Sequence, residues 1–157
     1  MTSHEYLFKL GEVILEKESR QGYEALTPPE RVFALVWWLE AEVNNGGFHQ
    51  YFFNSAGDRA GEAAVALQLI KAERAAALLK RAMNVFGRSG PSKVRFERQD
   101  QLEALPDEGL EALEELDSAF YEYPDDLSSL LASFMQAWTG PRHEGAQPET
   151  RRSCEGR

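Results

Sequence analysis

The side chains that most often perform catalysis are few and scattered in this chain. Its three histidines, His4, His49 and His143, are far apart, and none follows a glutamate by three residues as in carboxylate-bridged di-iron helices. The single cysteine, Cys154, lies in a polar stretch that offers nothing to lower its pKa, and it has no partner for a disulfide or a structural zinc site. The usual phosphate-binding, zinc-protease and serine-hydrolase motifs are missing. We therefore expect no enzymatic activity, no metal and no cofactor.

Carboxylates, in contrast, are abundant and concentrated in one part of the chain. The 157 residues include 26 acidic and 17 basic side chains, which give a net charge of −9 and a pI near 4.9. Residues 99–126 contain eleven acidic and no basic side chains, whereas residues 71–98 contain eight basic and two acidic ones. The acidic excess argues against direct binding of nucleic acid, because phosphates are bound by lysine and arginine.

The acidic block contains a predicted amphipathic helix from Asp107 to Phe120. At 100° per residue, Leu110, Leu113, Leu116 and Phe120 fall on one side and five carboxylates on the other. A helix that only had to be soluble would include lysines, so we expect its acidic side to bind a basic partner protein. The candidate partner-binding residues are Asp100, Glu103, Asp107, Glu108, Glu111, Glu114, Glu115, Asp117, Glu122, Asp125 and Asp126.

A second informative stretch, residues 42–58, reads E-V-N-N-G-G-F-H-Q-Y-F-F-N-S-A-G-D. Its glycine pair predicts a sharp turn between two helices, since glycine adopts positive φ without a steric cost. Phe48, Tyr51 and Phe52 share one helical face and should pack into the core under the helix that carries Trp37 and Trp38. The residues of the motif that we single out are Asn45, Gly46, Gly47, Phe48, Gln50, Tyr51, Asn54, Gly57 and Asp58.

Polar side chains of the same stretch allow two interpretations. The amides of Asn44, Gln50 and Asn54 could satisfy the exposed backbone ends of the two abutting helices. Alternatively, His49, Gln50, Tyr51 and Asn54 could form a small polar pocket. The structural interpretation is favoured, because a lone histidine beside a turn is more often hydrogen-bonded than catalytic.

Helical periodicity dominates the whole chain and predicts an all-α fold of about seven or eight helices in a single compact domain, residues 1–139. Thr27 to Glu30 reads as a capping box, and Gly57-Asp58 should cap the next helix. Residues 92–104 are ambiguous because Lys93–Glu97 alternates like a strand, but a helix is favoured because no partner strand is evident. Residues 140–157 are almost devoid of apolar side chains, so we expect a disordered tail there. The predicted helices, besides that from Asp107, are 3–18, 28–45, 48–54, 60–70, 73–86, 92–104 and 127–138.

Membrane insertion and export are not expected. The longest apolar run, Val32 to Leu39, is much shorter than the roughly 20 residues that span a bilayer. The first residues lack the basic start and apolar stretch of a secretory signal. We expect a cytoplasmic protein.

The pattern E-V-N-N-G-G-F-x-Q-Y-F-x-N-S-x-G-D resembles the signature of the bacterial DNA-mimic protein family, long filed as a domain of unknown function. The resemblance extends to Leu26–Arg31, to Arg98–Leu102 and to Leu116–Tyr121, and so covers about residues 26–138. It implies an all-helical, homodimeric protein that presents an acidic surface to a DNA-binding protein such as a transcription regulator. Lys71 stands where the resemblance leads us to expect a glycine.

Three functions remain open at the level of the sequence. The first is occupation of the DNA-binding surface of a DNA-binding partner. The second is binding of a different partner, either to inhibit a toxic nuclease or through head-to-tail pairing of the acidic block with the basic block. The third is an enzyme or a small-molecule module that uses residues 42–58, which we call the glycine-aromatic motif.

Overall fold

The computed structural model describes residues 1–138, which form seven α-helices and no strand. The predicted all-α single domain is confirmed, while the predicted tail from residue 140 lies outside the described residues. Two short 3-10 segments, Tyr23–Ala25 and Ser55–Arg59, flank the second helix. The helices are α1 Ser3–Gln21, α2 Pro28–Phe53, α3 Ala60–Leu69, α4 Glu73–Asn84, α5 Arg95–Glu103, α6 Asp107–Tyr121 and α7 Leu127–Ala137.

Helix α2 is the centre of the fold and packs against α1, α3, α5, α6 and α7. It begins with the predicted capping box, in which Thr27 Oγ1 accepts from the Glu30 N–H and Glu30 Oε1 accepts from the Thr27 N–H. Its side chains Phe33, Leu39 and Val43 are fully buried. Burial of each such side chain contributes about 1.5–3 kcal/mol.

No helix within residues 1–138 combines the length and apolar character needed to cross a membrane.

Helix α2 is broken at the predicted glycine pair. Gly46 is extended at φ −160°, and Gly47 has a φ of +73°, in the left-handed region that favours glycine. The break leaves the Phe48 N–H without a partner in its own helix, and Asp117 Oδ1 on α6 accepts from it at 2.7 Å. A Cβ on Gly47 would lie 2.3 Å from Asp117 Oδ2. The turn therefore needs glycine for its backbone angle and for the close approach of α6.

The aromatic side chains that follow the break are buried, as predicted. Phe48 meets Phe120 of α6 edge to face, with ring centroids 5.8 Å apart. Phe52 meets Phe86 in the same way at 4.8 Å. The aromatic contacts of this face thus come from α6 and from the segment after α4.

The C-terminal end of α2 is closed by Arg98 of α5, whose side chain is completely buried. Its guanidinium donates to the carbonyl oxygens of Phe52, Asn54 and Ser92, the last two at 2.8 and 2.9 Å. It also forms an ion pair with Asp58 at 2.7 Å. One buried cation thus satisfies carbonyls that the helix end leaves free, and it is itself paired, as a buried charge must be.

The end of the motif is shaped by this arginine. A Cβ on Gly57 would lie 2.9 Å from Arg98 Nε and 2.7 Å from the Tyr51 carbonyl oxygen. The prediction that Asp58 caps the next helix is wrong: α3 begins after Arg59 without a side-chain cap, because the Asp58 carboxylate faces Arg98. No sequence pattern predicts this structural role of Arg98.

Two further differences concern helix ends. The predicted helix at 92–104 begins at Arg95, and its apolar residue Phe96 is 78% exposed. The helix predicted to reach residue 86 ends at Asn84.

Lys71, which replaces the expected glycine, has a φ of +67° between α3 and α4. That backbone angle is the reason why a glycine would suit the position.

We predict that Gly47→Val lowers the free energy of unfolding by more than about 1 kcal/mol, because valine is strained at positive φ and its side chain would displace Asp117. Gly22→Val is the matched control, since Gly22 has a φ of +87° but no atom within 4 Å of an added Cβ. Urea denaturation should show a larger loss for Gly47→Val than for Gly22→Val. Equal losses would mean that the contact with Asp117 contributes nothing.

A second prediction concerns pH. Burial is the main cause that raises the pKa of Asp117 above its ordinary 3.8; the Phe48 N–H bond lowers it, and the Glu114 charge raises it further. The folded state therefore keeps this proton to a higher pH than the unfolded state does. Stability from Asp117 is present below pH 3.8 and is lost as pH rises through the raised pKa.

Asp117→Asn removes this titration and keeps an oxygen that can accept from Phe48. We expect the unfolding free energy of the parent, minus that of Asp117→Asn, to fall as pH rises from 3.8. Urea denaturation at several pH values measures this difference. A difference that stays flat or rises would contradict the raised pKa.

Candidate protein-binding surface

Helix α6 has the amphipathic arrangement that the sequence predicts. Leu113, Leu116 and Phe120 are buried against α2 and α4, and Leu110 is half-buried. The five carboxylates of the opposite side are all exposed: Asp107, Glu108, Glu111, Glu114 and Glu115. From Asp107 to Glu115 they extend about 12 Å along the helix axis.

Three of the eleven candidate residues are engaged at helix ends. Asp117 accepts from the Phe48 N–H at the break in α2. Asp125 Oδ2 accepts from the Ala75 N–H at 2.8 Å, and so caps the start of α4, which has no cap of its own. Asp126 is the N-cap of α7 and accepts from the Ser129 N–H and hydroxyl. Their roles in stability are thus visible, while partner binding by them stays a prediction.

The remaining eight carboxylates are exposed, and we call them the acidic surface. Within residues 1–138 none of them forms an ion pair or accepts a side-chain hydrogen bond. The ion pairs within residues 1–138 lie elsewhere, for example Lys17 with Glu30 and Arg98 with Asp58. The acidic surface consists of Asp100, Glu103, Asp107, Glu108, Glu111, Glu114, Glu115 and Glu122.

Helix α6 packs beside α4, which is basic. Arg74, Lys80 and Arg81 are exposed on α4. Arg81 and Glu115 line the same groove between the two helices without forming an ion pair. The basic and acidic blocks of the sequence are therefore neighbours in the fold.

The polar residues of the glycine-aromatic motif do not form the alternative pocket. His49 is exposed and stacks on Phe53, whereas Tyr51 is buried. The hydroxyl of Tyr51 has no hydrogen-bond partner among the described residues, and burial raises its pKa far above its ordinary value. His49 and Tyr51 thus lie in different environments, one in solvent and one in the core.

The amides of the motif bind other side chains. Gln50 Nε2 and Asn54 Nδ2 both donate to Glu42 Oε2, at 2.8 and 2.9 Å. Asn44 Nδ2 donates to the Tyr123 hydroxyl at 2.7 Å, and Asn45 is exposed. The prediction that these amides satisfy helix ends is therefore wrong; Asp117 and Arg98 perform that task.

No metal site is apparent in this part of the chain. Within residues 1–138, no three histidine, cysteine, aspartate or glutamate side chains are placed to hold a metal ion.

Comparison with known proteins identifies the family. No curated protein and no protein of solved structure matches the chain. The sequence model of one family, described as DMP19-like protein, matches residues 24–138. That range includes the glycine-aromatic motif, Arg98, Asp117 and the whole acidic surface. Because the match covers most of the chain, this protein belongs to the DMP19-like family, a family of DNA-mimic proteins.

Proposed function

We propose that this protein is an interaction protein, not an enzyme, whose acidic surface occupies the DNA-binding surface of a basic partner such as a bacterial transcription regulator. The observation that carries the proposal is the group of eight exposed carboxylates without any ion pair in the described part of the chain. Membership of the DMP19-like family supports it. Neither nucleic acid nor a membrane is a proposed partner.

The cost of this charge supports a role in binding. Like charges three or four residues apart, such as Glu111 with Glu114 and Glu115, destabilise a helix by about 0.2–0.5 kcal/mol per pair. A surface that only had to be solvated would avoid this cost by including lysine.

The spacing of the carboxylates limits how DNA could be imitated. Neighbours on one row of α6 are about 5–6 Å apart along the axis, whereas each DNA strand advances about 3.4 Å per phosphate. One row therefore cannot copy a strand. The α5 residues Asp100 and Glu103 add two exposed carboxylates outside that row, and a homodimer, which we also propose, would supply a second row.

We predict that replacing Glu111, Glu114 and Glu115 together by glutamine weakens binding to the partner about tenfold, mainly through slower association. The same variant should unfold at an equal or higher urea concentration, because like-charge repulsion is relieved. The partner is first isolated from a lysate on the immobilised protein at low salt, released at high salt and identified. Kinetics of binding are then measured for both proteins in the buffer used for unfolding.

A matched control removes three charges elsewhere: Glu12, Glu16 and Glu73, all exposed on α1 and α4, are replaced by glutamine. This control should bind within about twofold of the parent, because the net charge changes equally but the acidic surface is intact. Duplex DNA should compete with the protein for the partner. Simultaneous binding of DNA and protein, or equal loss in both triple variants, would overturn the proposal.

Helix α4 is basic and α6 is acidic, so pairing between two copies of the protein is an alternative to binding of a basic partner. If the acidic surface paired with α4 of a second copy, Arg74→Gln and Arg81→Gln would abolish assembly in light scattering. The same variants should leave partner binding intact if the acidic surface serves a basic protein.

A further inference from the structure

A cleft on a different part of the molecule lies between α1, α2 and the 3-10 segment Ser55–Arg59. It measures about 440 Å³, within the size range of ligand sites, and its apolar wall includes Leu15, Leu35 and Trp38. None of the residues of the acidic surface lines it. The cleft therefore requires an explanation of its own.

Three carboxylates face this apolar wall: Glu18, Glu42 and Asp58. Glu42 is fixed by the two motif amides, which both donate to its Oε2. Its Oε1 accepts no hydrogen bond from the described residues, although a carboxylate can accept about four. The motif thus holds a carboxylate in place and leaves one of its oxygens available.

Trp38 supplies an aromatic surface beside these carboxylates. It lies one helical turn before Glu42, on the same face of α2. Its indole N–H donates to Glu18 Oε2 at 3.0 Å, which fixes the ring, and 39% of the residue stays exposed. An aromatic ring together with carboxylates is the arrangement that binds organic cations.

The one cation among the residues that line the cleft, Arg59, is engaged elsewhere. Its guanidinium lies 3.7 Å from the centroid of the Tyr23 ring and pairs with Glu24 and Glu62. Asp58 is paired with Arg98. Glu18 and Glu42 have no cation partner within the described residues, so the cleft carries excess negative charge.

We propose that this cleft binds an arginine side chain of a partner protein. The aliphatic stem would lie on Leu15 and Leu35, and the guanidinium would stack on Trp38 and donate to Glu42. Arginine fits better than lysine, because the planar guanidinium stacks on aromatic rings while one of its N–H groups bonds Glu42 Oε1. The identity of the partner as a DNA-binding protein rests on the proposed function, whereas the chemistry of the cleft does not.

The probe is blocked arginine, N-acetyl-arginine methylamide, and the neutral control is blocked citrulline, which has the same shape. The signal is the indole N–H resonance of Trp38 in a ¹H–¹⁵N spectrum, assigned with Trp38→Phe. Blocked arginine should shift this resonance saturably with a Kd on the order of 1 mM, as suits a ligand of this size. Citrulline should leave it unchanged.

Two variants test the residues. Glu42→Gln should weaken binding of blocked arginine at least about fivefold. Glu12→Gln, an exposed α1 carboxylate outside the cleft, should leave it unchanged. Thermal melts verify folding, and Glu18→Gln replaces Glu42→Gln if the latter melts early.

Equal responses to arginine and citrulline, or an unchanged Kd in both cleft variants, would overturn the assignment. Shifts confined to amides of α6 would overturn it as well, because they would place the cation on the acidic surface. The triple glutamine variant of α6 should still bind blocked arginine at the cleft. A failure of the cleft proposal can therefore be distinguished from a failure of the proposal for the acidic surface.

Discussion

The break in α2 is the constraint on which the rest of the fold depends. One helix contacts five others, yet it changes direction in the middle, and a change of direction exposes backbone groups that must find partners. Asp117 receives the free N–H after the break, and Arg98 covers the free carbonyls at the end of the helix. These two charged side chains arrive from α6 and α5, so the same bonds that complete α2 also fix the positions of its neighbours.

The acidic helix is held in this way by one of its own carboxylates. Asp117 faces inward to the break, and this sets the rotation of α6 about its axis. Leu113, Leu116 and Phe120 are then buried, and Glu111, Glu114 and Glu115 face solvent. Carboxylates that look alike in sequence therefore divide into those that hold the fold and those that are available for a partner.

Periodicity and local signals predict much of this structure. The capping box at Thr27, the turn at Gly47 and the apolar side of α6 depend on neighbours within a few residues, and all three are found where expected. The roles of Arg98, Asp117 and Asp125 depend on residues 40 or more positions away, and a polar side chain leaves no periodic trace of such a partner. Phe96 is exposed while Arg98 is buried, which is the reverse of what hydropathy alone indicates.

The placement of basic α4 beside acidic α6 gives the molecule an electric dipole across two adjacent helices. In the field of a positively charged protein such a dipole experiences a torque, which turns α6 toward the other molecule and α4 away from it. This torque acts before any contact. Its range is roughly 8 Å, the screening length of charges at physiological ionic strength. Encounters would thus begin already oriented, and this torque would add to the attraction that the exposed carboxylates provide by themselves.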